Sequence, residues 1–400
     1  MKFIVQFDNI SSKQGFGTSG FYEKTEEAMI KGMDISVLPE LEELGAVYYD
    51  KTENGYVPKD YLTILKEYDF NSVRIRLWND PYSEDGAPYG AGTNDLARTV
   101  KLAKRAKERG FSVLLDFHYS DFWADPGKQY KPKAWRDYDD AQLEKAVYAY
   151  TKEVLLKLRE ENALPDMVQV GNELSNGLLW PNGKTPNYDA VRRFVNAGIR
   201  GVREAAPHIP VMLHLDNGGN NALYREWFDH FTDGGEEFEY IGLSYYPFWH
   251  GTQKQLFDNM NDIAARYGKK LIIAEVSMGF TLEDYADHEK LAPSMRKGMA
   301  AKPALAEKLD YPMTKEGQCA FMRDLLEGIS KVTDHACEGF YYWEGGWIPV
   351  PGSGWATPES LAYIQDPGPC GNEWANQAVF DYDGRILPVM DVIRDYRNGE

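Results

Sequence analysis

Residues 95–118 read DLARTVKLAKRAKERGFSVLLDFH, and this stretch carries the fold in miniature. Over 95–109 the apolar positions recur at helical spacing, and Gly110 supplies a helix stop, where a residue free to adopt positive φ is favoured. The run 112–118 then turns β-rich and apolar. A helix feeding a strand through a two-residue connection is one unit of an alternating β/α chain.

The unit repeats on either side. Further strands are expected at 30–36, 72–78, 167–172, 211–215, 240–245, 271–275 and 339–343. Helical patterns separate them at 58–68, 140–162, 190–206, 222–231, 253–267 and 316–332. Eight strands alternating with helices imply a parallel sheet that closes into a (β/α)8 barrel, built as one domain over 1–400 with 1–28 as an N-terminal decoration. Active sites of this fold lie where strands end, so the long connections after strands 3, 7 and 8 are expected at the functional mouth.

Composition narrows the chemistry. The chain has 400 residues, 43% of them hydrophobic, enough for one large core. Lys and Arg number 44 against 62 Asp and Glu, giving −18. An acidic surface repels phosphate backbones and anionic lipid, so neither nucleic acid nor a membrane is an expected partner. Mean hydropathy is −0.52, and no apolar run reaches membrane-spanning length. The first residues show no secretory signal pattern, so a cytoplasmic location is expected if Met1 is the native start. Three cysteines, Cys319, Cys337 and Cys370, lack metal spacing and read as reduced thiols.

The strand ends carry the reactive groups. VQVGNEL closes the fourth strand with Asn172 and Glu173, and LIIAEVS closes the seventh with Glu275. Two carboxylates facing each other across one barrel mouth meet the needs of glycosidic bond cleavage: one protonates the leaving oxygen and the other attacks the anomeric carbon. Arg74, Arg76 and Trp78 alternate on the second strand and share a face. An inward arginine needs a carboxylate partner, either a catalytic one or a structural one such as Asp34 or Asp116. Tyr245 ends the sixth strand, placed to hydrogen-bond the nucleophile, and Trp343 ends the eighth. His118 and His214, near Asp116 and Asp216, also suit metal ligation, but no His-x-His run exists among seven histidines. Polar residues lining a sugar cleft fit them better. Trp78, Trp123, Trp135, Trp180, Trp249, Trp343 and Trp347 fall at strand ends or in the loops after them. Flat indoles stack on sugar rings, and so many of them suit a polymer bound along its length. Trp227, Trp355 and Trp374 have no such placement.

With these residues in place, the chain resembles the endo-β-1,4-galactanases of glycoside hydrolase family 53. The resemblance is carried by KGMDISVLPELEELGAVYYD at 31–50, VRIRLWNDPY at 73–82, LLDFHYSDFWADPGKQYKPKAW at 114–135, MVQVGNE at 167–173, SYYPFWHGT at 244–252, IIAEVS at 272–277 and YYWEGGWIPV at 341–350. It implies retaining hydrolysis of internal β-1,4 bonds in galactan and arabinogalactan by a monomeric enzyme, with Glu173 as acid/base and Glu275 as nucleophile. Asn172 would meet the sugar 2-hydroxyl. Arg76 would stand beside Glu275 and hold it ionised, lining the catalytic subsite with His118, Tyr245 and Asp34, and Trp78, Trp343 and Trp347 would be sugar platforms. Rival readings are another β-1,4-glycan such as mannan or xylan, and a barrel that binds carbohydrate without cleaving it. No cofactor is needed for the chemistry. Relatives often bind calcium in the loop after strand seven, which reads LEDYADHEKLAPS here at 282–294. Asp284 and His288 persist, but Ala286 and Lys290 stand where oxygen ligands are expected. A hard cation wants six or more oxygens, so calcium binding is expected to be weak or absent, with the Lys290 ammonium in its place.

Overall fold

The computed structural model describes residues 29–286 and 288–397; the expected decoration at 1–28 lies outside them. Eight parallel strands close a barrel: β1 (Ile30–Asp34), β2 (Ser72–Leu77), β3 (Ser112–Phe117), β4 (Met167–Val170), β5 (Val211–Leu215), β6 (Tyr240–Tyr245), β7 (Lys270–Val276) and β8 (Cys337–Tyr342). Each pairs with its sequence neighbours, and β8 returns to β1. The outer ring is α1 (Tyr61–Glu67), α2 (Leu96–Glu108), α3 (Asp140–Glu160), α4 (Tyr188–Ala205), α5 (Asn221–Thr232), α6 (Gln253–Tyr267), α7 (Lys315–Ser330) and α8 (Val389–Asp395). The expected strands are all present, with ends moved by no more than two residues. Helix starts follow local chemistry: Asp95 accepts from the Arg98 N–H, and Asp139 and Thr252 form capping boxes with Gln142 and Gln255. No helix among the described residues is long and apolar enough to cross a membrane. The three cysteines are free.

The lumen is filled in layers. Leu114, Met167, Met212, Ile272, Ala274 and Tyr341 form an apolar plug near the strand starts. Gly32 makes room for it, since a Cβ there would sit 2.2 Å from the Tyr341 ring. Two residues further along β1 to β6 the inward positions turn polar: Asp34, Arg74, Asp116, Gln169, His214 and Ser244, all buried. Period-two alternation therefore carries these six strands from plug to chemistry.

Candidate active site

Two backbone irregularities aim the carboxylates. After β4 the chain turns through Gly171 at φ +82° and Glu173 at φ +47°. A left-handed non-glycine residue costs on the order of 1 kcal/mol or more, a strain concentrated where function demands a fixed direction. On β7, Ile273 pairs with Leu243 but Glu275, not Ala274, pairs with Ser244. The extra residue is a bulge. Without it, alternation from the lumen-facing Ile272 would send Glu275 outward; with it, Glu275 joins Ser244 at the mouth.

The two carboxyl groups face each other, with an oxygen of Glu173 within 4.8 Å of one of Glu275. They are 8% and 5% exposed, so water screens little of their mutual repulsion. Their partners differ. Arg74 Nη1 lies 2.9 Å from Glu275 Oε1, and the Tyr246 hydroxyl donates to Glu275 Oε2 at 2.7 Å. Among the described residues no cation pairs with Glu173; the Ser244 hydroxyl donates to its Oε1 at 2.6 Å. Burial raises both pKa values. Arg74 and Tyr246 oppose that at Glu275, which reaches about 7, whereas at Glu173 the charges of Glu275 and Asp216 add to burial and push it well above the carboxylate range. The arrangement keeps one proton on Glu173 and the charge on Glu275.

Arg74 organises the floor. It also holds Asp34 at 2.9 Å and Asp116 at 2.8 Å, and donates to Asn172 Oδ1 and Gln169 Oε1. Burial disfavours its charge, but Asp116, Glu275 and Asp34 outweigh that and hold it protonated. Breaking such a buried network typically costs about 3–5 kcal/mol.

Several expectations need correction. The arginine beside Glu275 is Arg74, not Arg76. Both point inward, but Arg76 stands one inward position higher, pairs with Glu344 at 2.5 Å, and lies over Trp123 at 4.2 Å. It still lines the cleft. The tyrosine on Glu275 is Tyr246; Tyr245 points outward, donates to the Gly251 carbonyl and stacks on Phe321. The inward phase set by Gly242 and Ser244 would have identified Tyr246. Asp34 is closed off behind the cleft, holding Arg74 and the Ser36 hydroxyl. Trp78 is fully buried and donates to His118 Nδ1 at 3.1 Å, so it orients that ring and offers no open platform.

Asn172 and His118 do line the cleft, a cavity of about 490 Å³. His118 is fixed as the tautomer whose Nε2–H faces Asp116 at 3.0 Å, because Nδ1 also accepts from the Ala124 N–H. Six indoles line the same cavity: Trp123, Trp249, Trp343, Trp347, Trp355 and Trp374. Trp355 and Trp374 had no expected role; they sit on the long connection after β8, whose path strand patterns do not reveal. Trp135 and Trp180 lie elsewhere, and Trp227 is core.

Glu173, His214 and Glu275 are close enough to suggest a metal trio. The His214 nitrogens are already engaged, Nδ1 with Gln169 and Asn172 and Nε2 with Ser244, and burial keeps the ring neutral. In the loop after β7, His288 Nε2 faces the Lys297 carbonyl at 3.0 Å and Nδ1 lies 3.6 Å from Asp284. His288 Nδ1 also lies 3.8 Å from Glu289 Oε1, while Ala286 and Lys290 offer no side-chain oxygen of the kind a hard cation takes.

Residues 30–393 match the profile of Glycosyl hydrolase family 53. An endo-β-1,4-galactanase of Bacillus subtilis is 36% identical over 95% of this chain and 89% of its own length. The Ignisphaera aggregans GH53 catalytic domain superposes with a TM-score of 0.83 at 41% identity, covering 92% of this chain and 95% of that one. A fungal β-1,4-galactanase structure gives 0.72 at 28% identity, over 91% and 98%. With nearly the whole barrel matched, the chain belongs to glycosyl hydrolase family 53.

Proposed function

We propose that the protein is an endo-acting, retaining β-1,4-galactanase that cleaves galactan and type I arabinogalactan, with Glu275 as nucleophile and Glu173 as acid/base. The observation that carries this reading is the carboxyl pair itself. An approach of their oxygens within 4.8 Å is compatible with double displacement, for which carboxyls lie roughly 5–5.5 Å apart rather than the roughly 6.5–9.5 Å of inverting enzymes.

In the first step Glu275 Oε attacks the anomeric carbon as the C–O bond to the leaving sugar breaks, and Glu173 gives its proton to that oxygen. A galactosyl ester forms on Glu275. Loss of negative charge at Glu275 lowers the affinity of Glu173 for a proton, so Glu173 becomes the base that takes a proton from water. Water attacks the same carbon from the vacated face, Glu275 leaves, and the product keeps its β configuration. Trp249 is exposed and Trp123 and Trp343 are half-buried, while the other three indoles of the mouth are nearly closed off; flat surface at three points exceeds what a single sugar ring uses, which favours a chain bound across the site.

Reducing-sugar release from β-1,4-galactan is expected to exceed release from mannan or xylan by at least about tenfold, since an axial 4-hydroxyl changes the direction of the chain and the fit of each ring. Proton NMR should detect the β-anomer of the product first. Release from mannan or xylan instead would overturn the substrate; an α-anomer first would overturn the double displacement.

We further propose that the loop after β7 keeps its shape without calcium, the Lys290 ammonium taking the ion's place beside Asp284. Thermal unfolding midpoints in excess chelator and in millimolar calcium are then expected to agree within about 1 °C. A rise of several degrees with calcium would reject this.

A further inference from the structure

Asp216 follows the end of β5, two residues after the lumen-facing His214, and lines the cleft beside Glu173. Its Oδ1 is buried and has no hydrogen-bond partner among the described residues. That oxygen is closed to solvent, so it is the rest of the carboxylate, which lines the cleft, that faces an incoming hydroxyl. Its neighbour Asp125 has no such vacancy: Oδ1 accepts from the Gly127 and Lys128 N–H groups, and Oδ2 pairs with the Lys128 ammonium.

The charges around the two carboxyl groups divide the cleft. Arg74, Asp116 and Asp34 act on Glu275, while Asp216 and Asp125 act on Glu173. The acid lies on the side of the departing sugar, because its proton goes to the departing oxygen. We propose that Asp216 binds a hydroxyl of the leaving galactosyl unit and so sets specificity on the acid side of the scissile bond. This rests on the reading of Glu173 as the acid.

The same placement gives Asp216 a second effect. The groups facing it are Glu173, Asp125, Tyr224 and the Ser175 hydroxyl. Its charge helps keep the proton on Glu173, against Ser244, which favours the ionised form. Removing that charge lets Glu173 lose its proton at lower pH.

The test compares β-1,4-galactotetraose with nitrophenyl β-1,4-galactobioside, whose leaving group carries no sugar hydroxyls. In Asp216→Ala, kcat/KM on the tetraose is expected to fall about 10- to 100-fold, at least tenfold more than on the aryl substrate. Asp216→Asn keeps an Oδ1 acceptor and should recover part of that loss. Both variants should move the basic limb of the kcat/KM profile to lower pH. Equal proportional losses on the two substrates, or none, with an unmoved basic limb would overturn the inference. Should the alanine variant fold poorly by thermal melt, the asparagine variant and its basic limb decide. A wild type that cleaves neither substrate would overturn the glycosidase reading itself.

Discussion

Glu275→Ala is expected to abolish galactan hydrolysis, lowering kcat by roughly 10⁴-fold or more, in the range seen when a covalent nucleophile is removed. Several features make the loss this large. The side chain is buried against Arg74 and Tyr246, and alanine removes both contacts. Alanine leaves a small cavity beside a guanidinium, so added azide or formate should restore some turnover and, by attacking from the same face, give a product of α configuration. Reducing-sugar release and NMR of the rescued product measure this. Retained activity above about one per cent would remove Glu275 from the nucleophile role. In the wild type, kcat/KM should fall as pH drops through the point where Glu275 takes a proton, about 7, because the protonated carboxyl cannot attack.

Glu173→Ala should cost about 10²- to 10⁴-fold on galactan, the usual range for a general acid. On an aryl galactobioside the first step needs little proton donation, so that loss should be smaller by at least tenfold, and the galactosyl-enzyme should accumulate as an initial burst. The basic limb of the pH profile, set by a carboxyl that burial and the Glu275 charge hold well above its ordinary range, should disappear. Equal losses on both substrates would reject the acid/base assignment.

The eight-strand barrel was legible because each strand and seven of the eight ring helices carry their own periodic signal; the short helix Val389–Asp395 was not read. Glu173 and Glu275 were legible because each closes a β-rich run. The neighbours were less so. Arg74 and Arg76 share a face, and two residues of depth along β2 decide which one meets Glu275. Tyr245 and Tyr246 are adjacent in sequence, and the phase of β6 decides which enters the lumen. Trp78 ends a strand like any platform residue, yet packing under His118 buries it. Trp355 and Trp374 reach the cleft only because the connection after β8 folds back over the mouth.

The sequence by itself determined the alternation of elements and the two carboxylates at strand ends, because these depend on local periodicity. Only the tertiary structure decided which groups meet. The Ala274 bulge that turns Glu275 inward, the sharing of Arg74 among Asp34, Asp116 and Glu275, and the placement of Asp216 beside Glu173 come from strand register and barrel closure. Those depend on contacts between residues far apart in the chain, which no local pattern encodes.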